Sequence, residues 1–188
     1  MQQRGWSVWF GSALIVGGAA VLAWYSWTLH ERAVAQRQAR EWLTRTTAVD
    51  HPELSPARRG DVFGELDISR LGVSVIVFEG DDAELLRQGA GHIPGTALSP
   101  GNGNIGIAAH RDTYFRPLHV IHVNDLIALK TPAGTSRYAV TDTKIVQPSD
   151  VGVLAHAPGR DLTLVTCYPF FYVGSAPKRF IVHARKIG

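Results

Sequence analysis

Thr-Leu-Val-Thr-Cys-Tyr-Pro-Phe, residues 163–170, closes an apolar run that begins at Leu162, and it holds the only cysteine of the chain. Leu162, Leu164 and Val165, with Thr163 and Thr166, make the β-branched and apolar pattern of a buried strand, which Tyr168-Pro169 then stops. Cys167 therefore stands where a strand gives way to a loop, a position both rigidly held and reachable. Without a second cysteine there is no intrachain disulfide, which leaves core filler, intermolecular bridge, metal ligand or nucleophile. Free cysteine is among the most buried residue types, so filler is the default reading that the rest of the chain must displace.

Working outward, the chain reads mainly as strands. Phe63 to Ile68 alternates partly, and Val73 to Phe78 is a compact β-branched run. A short helix follows over Asp82 to Gln88 with an acidic first turn. Asn104 to Ala109, Leu126 to Lys130, Arg137 to Val146, Leu162 to Thr166 and Arg179 to Ala184 add further strands. Seven or eight short strands with few helices and no internal repeat predict a mainly β fold, a closed or nearly closed, antiparallel-rich barrel. The barrel domain is expected over residues 62–188.

The amino-terminal end is different. Within a 188-residue chain that is 45% hydrophobic and 19% charged, the stretch Gly5 to Leu29 carries no ionisable side chain. Val8 to Leu29 (VWFGSALIVGGAAVLAWYSWTL) is long enough to cross a bilayer as a helix, with Trp6, Trp9, Trp24, Tyr25 and Trp27 near its two ends. The apolar core is too long for a signal peptide and lacks a small-x-small cleavage site, so residues 1–30 read as a transmembrane anchor. Residues 31–61 read as stalk and linker: Glu31 to Ala48, rich in helix formers, as a solvated or membrane-surface stalk, then Asp50 to Asp61 with its two prolines and paired arginines as the linker. Arg32, Arg37, Arg40 and Arg45 follow the span against Arg4 before it, which by the positive-inside rule favours a cytoplasmic carboxyl end. From Val62 onward, 12 Lys plus Arg face 11 Asp plus Glu, a near-neutral balance that argues against a nucleic-acid partner.

The bases suited to activating a thiol near neutral pH are histidines. Of eight, His110 ends the apolar strand Ile105 to Ala109 and opens the polar loop His110-Arg111-Asp112-Thr113, as Cys167 ends its own strand. Two strand-end residues of complementary chemistry can meet at one rim of a barrel. Arg179 opens the last strand shortly after the cysteine loop, and its guanidinium offers a fixed fork of donors to a developing oxyanion. His119-x-x-His122 has ligand-like spacing, but neither a cysteine nor a close carboxylate completes a set, so no metal and no cofactor is expected.

Together, Gly103-Asn104-Ile105-Gly106-Ile107-Ala108-Ala109-His110-Arg111-Asp112-Thr113, then Thr163-Leu164-Val165-Thr166-Cys167, then Lys178-Arg179-Phe180-Ile181-Val182 resemble the sortase family, most similar to its class D and proteobacterial-type members. Gly91-His92-Ile93-Pro94-Gly95-Thr96-Ala97 also resembles the segment before the histidine strand of those proteins. Ala109 stands where the family often has glycine.

The resemblance implies an eight-stranded sortase-like β-barrel, held by its anchor on the extracytoplasmic side of the cytoplasmic membrane, against the charge count. It implies a cysteine transpeptidase that cleaves a C-terminal sorting motif of a secreted protein through a thioester and passes it to an amine acceptor at the cell envelope. Cys167 is then the nucleophile, His110 the general acid and base, and Arg179 the oxyanion or substrate stabiliser. A backbone N–H such as that of Tyr168 is a second oxyanion donor, Asp112 a candidate to orient His110 or a peptide, and Thr113 and Thr166 candidates for substrate contact. Two rivals use the same residues differently: an anchored cysteine peptidase that releases its acyl group to water, and a non-catalytic anchored β-domain that binds a surface partner.

Overall fold

The computed structural model describes residues 4–46, 58–159 and 161–187. One long helix, α1 (Arg4–Thr46), comes first. Most of the expected linker Asp50 to Asp61, and the side chains of Trp6 and Trp9, lie outside the described residues. The chain divides into two units, Met1–Ala35 and Gln36–Gly188. In the first unit, Leu14, Ile15, Val16, Val21 and Leu22 are all exposed, as are Trp24, Tyr25 and Trp27. The hydroxyls of Ser26 and Thr28 donate back to the carbonyls of Leu22 and Tyr25, so these polar groups are satisfied within the helix itself. By length and composition this helix can cross a membrane.

The second unit is a closed barrel of eight strands among the described residues. They are β1 (Val62–Ile68), β2 (Val73–Glu79), β3 (Ala90–His92), β4 (Ile105–Ala108), β5 (Leu126–Thr131), β6 (Gly134–Val146), β7 (Leu162–Tyr168) and β8 (Lys178–Lys186), in spatial order β1-β2-β3-β4-β7-β8-β6-β5. β2–β3 and β4–β7 are parallel pairs; the others are antiparallel. Closure leaves no free sheet edge of the kind that recruits foreign strands. Where β1 crosses between β2 and β5 the ladder slips at Gly64, and a Cβ there would stand 2.4 Å from the Lys130 carbonyl oxygen. Only glycine lets the two backbones approach so closely.

The interior is filled by every second residue of each strand: Leu66, Ile68, Val75, Val77, Ile105, Ile107, Ile127, Leu129, Leu162, Leu164, Val182 and Ala184 are all fully buried or nearly so. β2 is buried on both faces, with Ile76 and Phe78 packing outward on Ala39 and Leu85. That explains why VSVIVF reads as a continuous apolar run. Leu85 belongs to α2 (Ala83–Gln88), whose cap Asp82 accepts from the N–H groups of Glu84 and Leu85.

One face of residues 36–43 docks on the barrel, where the sequence suggests a solvated or membrane-surface stalk throughout. Gln36, Ala39, Arg40 and Leu43 share one helical face, and Ala39 and Leu43 are buried. Gln36 receives the Ile76 N–H at 2.9 Å and donates to the Gln88 carbonyl at 2.8 Å, while Arg40 reaches Glu65 and the Ser74 hydroxyl. Half of this contact face is polar, so its apolar period is too thin to read from sequence.

Tyr138 of β6 is fully buried, and its hydroxyl has no hydrogen-bond partner among the described residues. Burial pushes its phenol up to about 12; the Ser136 hydroxyl, outside hydrogen-bond geometry, pulls the other way, and the Asp161 charge adds to the rise. A phenol raised in the fold contributes stability that is present below the ordinary tyrosine range near 10 and is lost as pH rises from there toward 12. Tyr138→Phe keeps the packing and removes the unpaired group. It should gain about 1 kcal/mol at neutral pH and flatten the fall of the melting temperature above pH 10 relative to the parent, measured by thermal melts at stepped pH.

Candidate active site

The alternation that fills the barrel also builds the site. Along β7, Leu162, Leu164 and Thr166 point inward, so Thr163, Val165 and Cys167 point out. β4 pairs with β7 in parallel, Ala108 beside Val165, and the Ala109 N–H continues the ladder to the Val165 carbonyl at 3.2 Å. One step further places His110 alongside Cys167 on the same outer face. On the other flank β8 is antiparallel, with Arg179 directly opposite Cys167 and Ile181 opposite Val165. Cys167 on β7, Arg179 on β8 and His110, two residues past the end of β4, are thus brought together by the register of three adjacent strands. They meet where these strands end, and because 110, 167 and 179 are all out-facing positions the site opens on the outer face at that end of the barrel.

A cleft of about 410 Å³ opens there, lined by His110, Cys167 and Arg179 together with Val153 and Leu154 of the β6–β7 connection. Its floor is the apolar surface of Ala108, Val165 and Ile181. Cys167 is free and half-buried, neither sealed in the core nor fully exposed. Arg179 donates only to neighbouring carbonyls, Lys178 at 3.1 Å and Ala176 at 3.4 Å, and pairs with no carboxylate among the described residues. Its charge is therefore available to an incoming group.

The other candidates are placed differently. Thr166 lines the cleft, and its buried hydroxyl donates to the Ala109 carbonyl at 2.7 Å, tying β7 to the end of β4. Asp112 and Thr113 are exposed on the loop after His110 and do not line the cleft. The Tyr168 ring turns inward onto Phe170 and Phe180. His119 packs on Phe170 and Phe171, whereas His122 Nδ1 faces Arg70 at 3.2 Å, so the two histidines serve different neighbours.

Arg111 has a role that the sequence does not reveal. Its guanidinium donates to the carbonyls of Pro169 at 3.0 Å and of Tyr172 and Gly174 at 2.9 Å, gathering the loop that follows the thiol. That loop has Phe171 and Val173 exposed at its tip, and its other holds include ring contacts of Phe170 and Phe171 with His119 and of Phe171 with Arg116. Arg111→Ala should lower kcat by about tenfold, near 1.4 kcal/mol, while amide exchange over residues 169–174 accelerates and the melting temperature moves little. Peptide kinetics with hydrogen exchange check both.

A closed β-barrel with a free thiol, an imidazole and an unpaired guanidinium in one outer cleft defines a class of thiol-bearing barrel proteins. Within it, a sortase-domain family model matches residues 66–187. The chain is 31% identical to sortase D of Bacillus subtilis over 164 residues, 85% of this chain and 83% of that one. It is 29% identical to sortase A of Listeria monocytogenes over 110 residues, 56% of this chain and 49% of that one. A Clostridium perfringens sortase D5 transpeptidase superposes with a TM-score of 0.69 at 27% identity, covering 85% of this chain and 99% of that one. The chain belongs to the sortase family. The family's activity is transpeptidation at a sorting motif of surface proteins, and its members are generally membrane-anchored, with which the apolar amino-terminal helix is consistent.

Proposed function

We propose that this chain is a membrane-anchored cysteine transpeptidase in which residues 1–30 are the anchor, residues 62–188 carry the chemistry, and the barrel works on the extracytoplasmic side. The observation that carries the reading is the convergence of Cys167, His110 and Arg179 on one cleft of the outer wall. The Cys167 thiolate adds to the carbonyl carbon of the scissile amide, and the oxyanion so formed faces the Arg179 guanidinium. The C–N bond breaks as His110 hands its proton to the leaving amine, which leaves a thioester on Sγ. The amine acceptor gives a proton to His110 and attacks the thioester; the S–C bond breaks and the thiolate returns. Atoms and charge balance without a cofactor.

The donor substrate in this reading is a secreted protein with a C-terminal sorting motif, and the acceptor is an amine of the cell envelope. Incubating the full chain with envelope proteins and reading Cys167 by mass spectrometry tests the first half-reaction: the expected result is a hydroxylamine-labile acyl adduct ending at a cleaved motif. A Cys167 that stays unmodified while the protein is folded overturns it. Adding a trapped peptide back with and without an amine then separates transfer from release to water, the peptidase outcome.

A further inference from the structure

Beside the cleft lies a second buried polar cluster that the proposed chemistry does not use. It sits under the turn Val151–Leu154, part of the β6–β7 connection. None of the four residues of this turn is buried, and Val151 is 73% exposed, so apolar packing does little to hold it. Its own backbone bonds are local, such as Ala155 N–H to the Gly152 carbonyl. What reaches it from the barrel is polar.

His183 and Thr163 are cross-strand partners on the outer face of β8 and β7, and both are fully buried beneath the turn. His183 Nε2 lies 3.1 Å from the Val153 carbonyl oxygen, and Nδ1 lies 3.0 Å from Asp142 Oδ1 on β6. Both partners present oxygen acceptors, so the ring bridges β6 and the turn, its tautomer deciding which of the two receives the N–H. Lys144 stands 3.7 Å from the same Asp142 oxygen. The next carbonyl, Leu154, accepts from Asn104 Nδ2 at 2.9 Å, and Asn104 is 3% exposed. Asn104 Oδ1 in turn accepts from the Thr163 hydroxyl at 3.0 Å, which fixes the amide with its NH₂ toward the turn. Gly106 of β4 lets the turn sit close: a Cβ there would meet Leu154 Cδ2 at 3.2 Å.

We propose that Asp142–His183 and Thr163–Asn104 form a two-point clasp on consecutive carbonyls of the turn, and that this clasp sets the width of the cleft. His183 and Asn104 are positioning residues: they act through Val153 and Leu154, which line the cleft opposite Cys167. The catalytic consequence rests on the acyl-transfer reading of that cleft, whereas the clasp itself concerns the order of the turn and is tested without turnover.

Cys167 is the only thiol, so alkylation of the full chain in detergent reports the cleft alone. Two reagents gauge its width, iodoacetamide and the bulky fluorescein-5-maleimide, alongside hydrogen exchange of the amides of residues 151–155. His183→Leu removes one point, His183→Gln restores an amide donor, and Asn104→Asp removes the other donor at constant size. Losing one buried hydrogen bond should raise both the bulky-to-small rate ratio and the exchange of the turn by about five- to tenfold, with partial rescue by His183→Gln. Exchange across β5, remote from the turn, should stay as in the parent; if one variant loses that protection the other carries the test. Unchanged ratio and unchanged turn exchange in the variants that keep β5 protected overturn the clasp. A parent Cys167 inert to both reagents sinks the acyl-transfer reading instead, while the exchange data still judge the clasp.

Discussion

Cys167→Ala should abolish acyl transfer, a loss of about 10⁵-fold or more that leaves only the background reaction, while the fold persists. The two halves of that expectation come from separate observations. Cys167 is half-buried at an out-facing position and contributes nothing to the sealed interior built from Leu162, Leu164 and Thr166. Trimming one sulfur from a cleft wall leaves no closed cavity, so the stability change should stay within about 1 kcal/mol. A filler cysteine gives the opposite pattern, a stability loss with activity intact. Cys167→Ser sharpens the comparison, because its hydroxyl is nearly isosteric but a far weaker nucleophile at neutral pH. Both variants should melt like the parent and form no thioester with a donor peptide. Retained turnover in Cys167→Ala would falsify the nucleophile assignment.

The barrel was largely legible because its signals are local. β-branched runs at Val73 to Phe78 and Leu162 to Thr166, and the acidic start of α2 after Asp82, announce themselves through period and capping. β3 (Ala90–His92) is three residues long and pairs in parallel with β2, so it carries no pattern of its own. The helical face Gln36, Ala39, Arg40 and Leu43 was hidden because it docks as much by hydrogen bonds as by apolar area.

For the site, the meeting of 110, 167 and 179 was legible in chemistry and incomplete in geometry. Strand ends put all three at one end of the barrel, and only the parity of the inward residues tells that they face out. The groups missed altogether, Arg111, His183 and Asn104, have backbone carbonyls as partners. Arg111 reaches carbonyls 58, 61 and 63 residues away, and a carbonyl leaves no residue type in the sequence to pair with. Conversely, a strand-end hydroxyl beside a nucleophile invites the reading of Thr166 as a substrate contact; Thr166 lines the cleft, with its hydroxyl proton given to the Ala109 carbonyl.

Arg179→Ala should lower kcat by about 10²- to 10³-fold, the size expected when one preorganised donor to an oxyanion is removed, with a much smaller rise in KM. The register puts Arg179 opposite Cys167, and its present bonds go only to carbonyls of Ala176 and Lys178 beside it in the chain. Those bonds are exchangeable: a developing oxyanion competes with them at little cost to the fold, so the melting temperature should scarcely move. Arg179→Lys distinguishes charge from shape. A point charge on a flexible stem can neutralise an anion but cannot present the guanidinium fork, so lysine should recover only part of the loss. Alkylation of Cys167 by iodoacetamide at pH 7 builds no oxyanion, and its rate should be nearly the same in all three proteins. If alkylation falls in step with acyl transfer, Arg179 serves the thiol rather than the transition state. Full activity in Arg179→Lys, or a loss of less than threefold in Arg179→Ala, would remove this residue from the chemistry and leave Cys167 and His110 to work in the cleft without a cation.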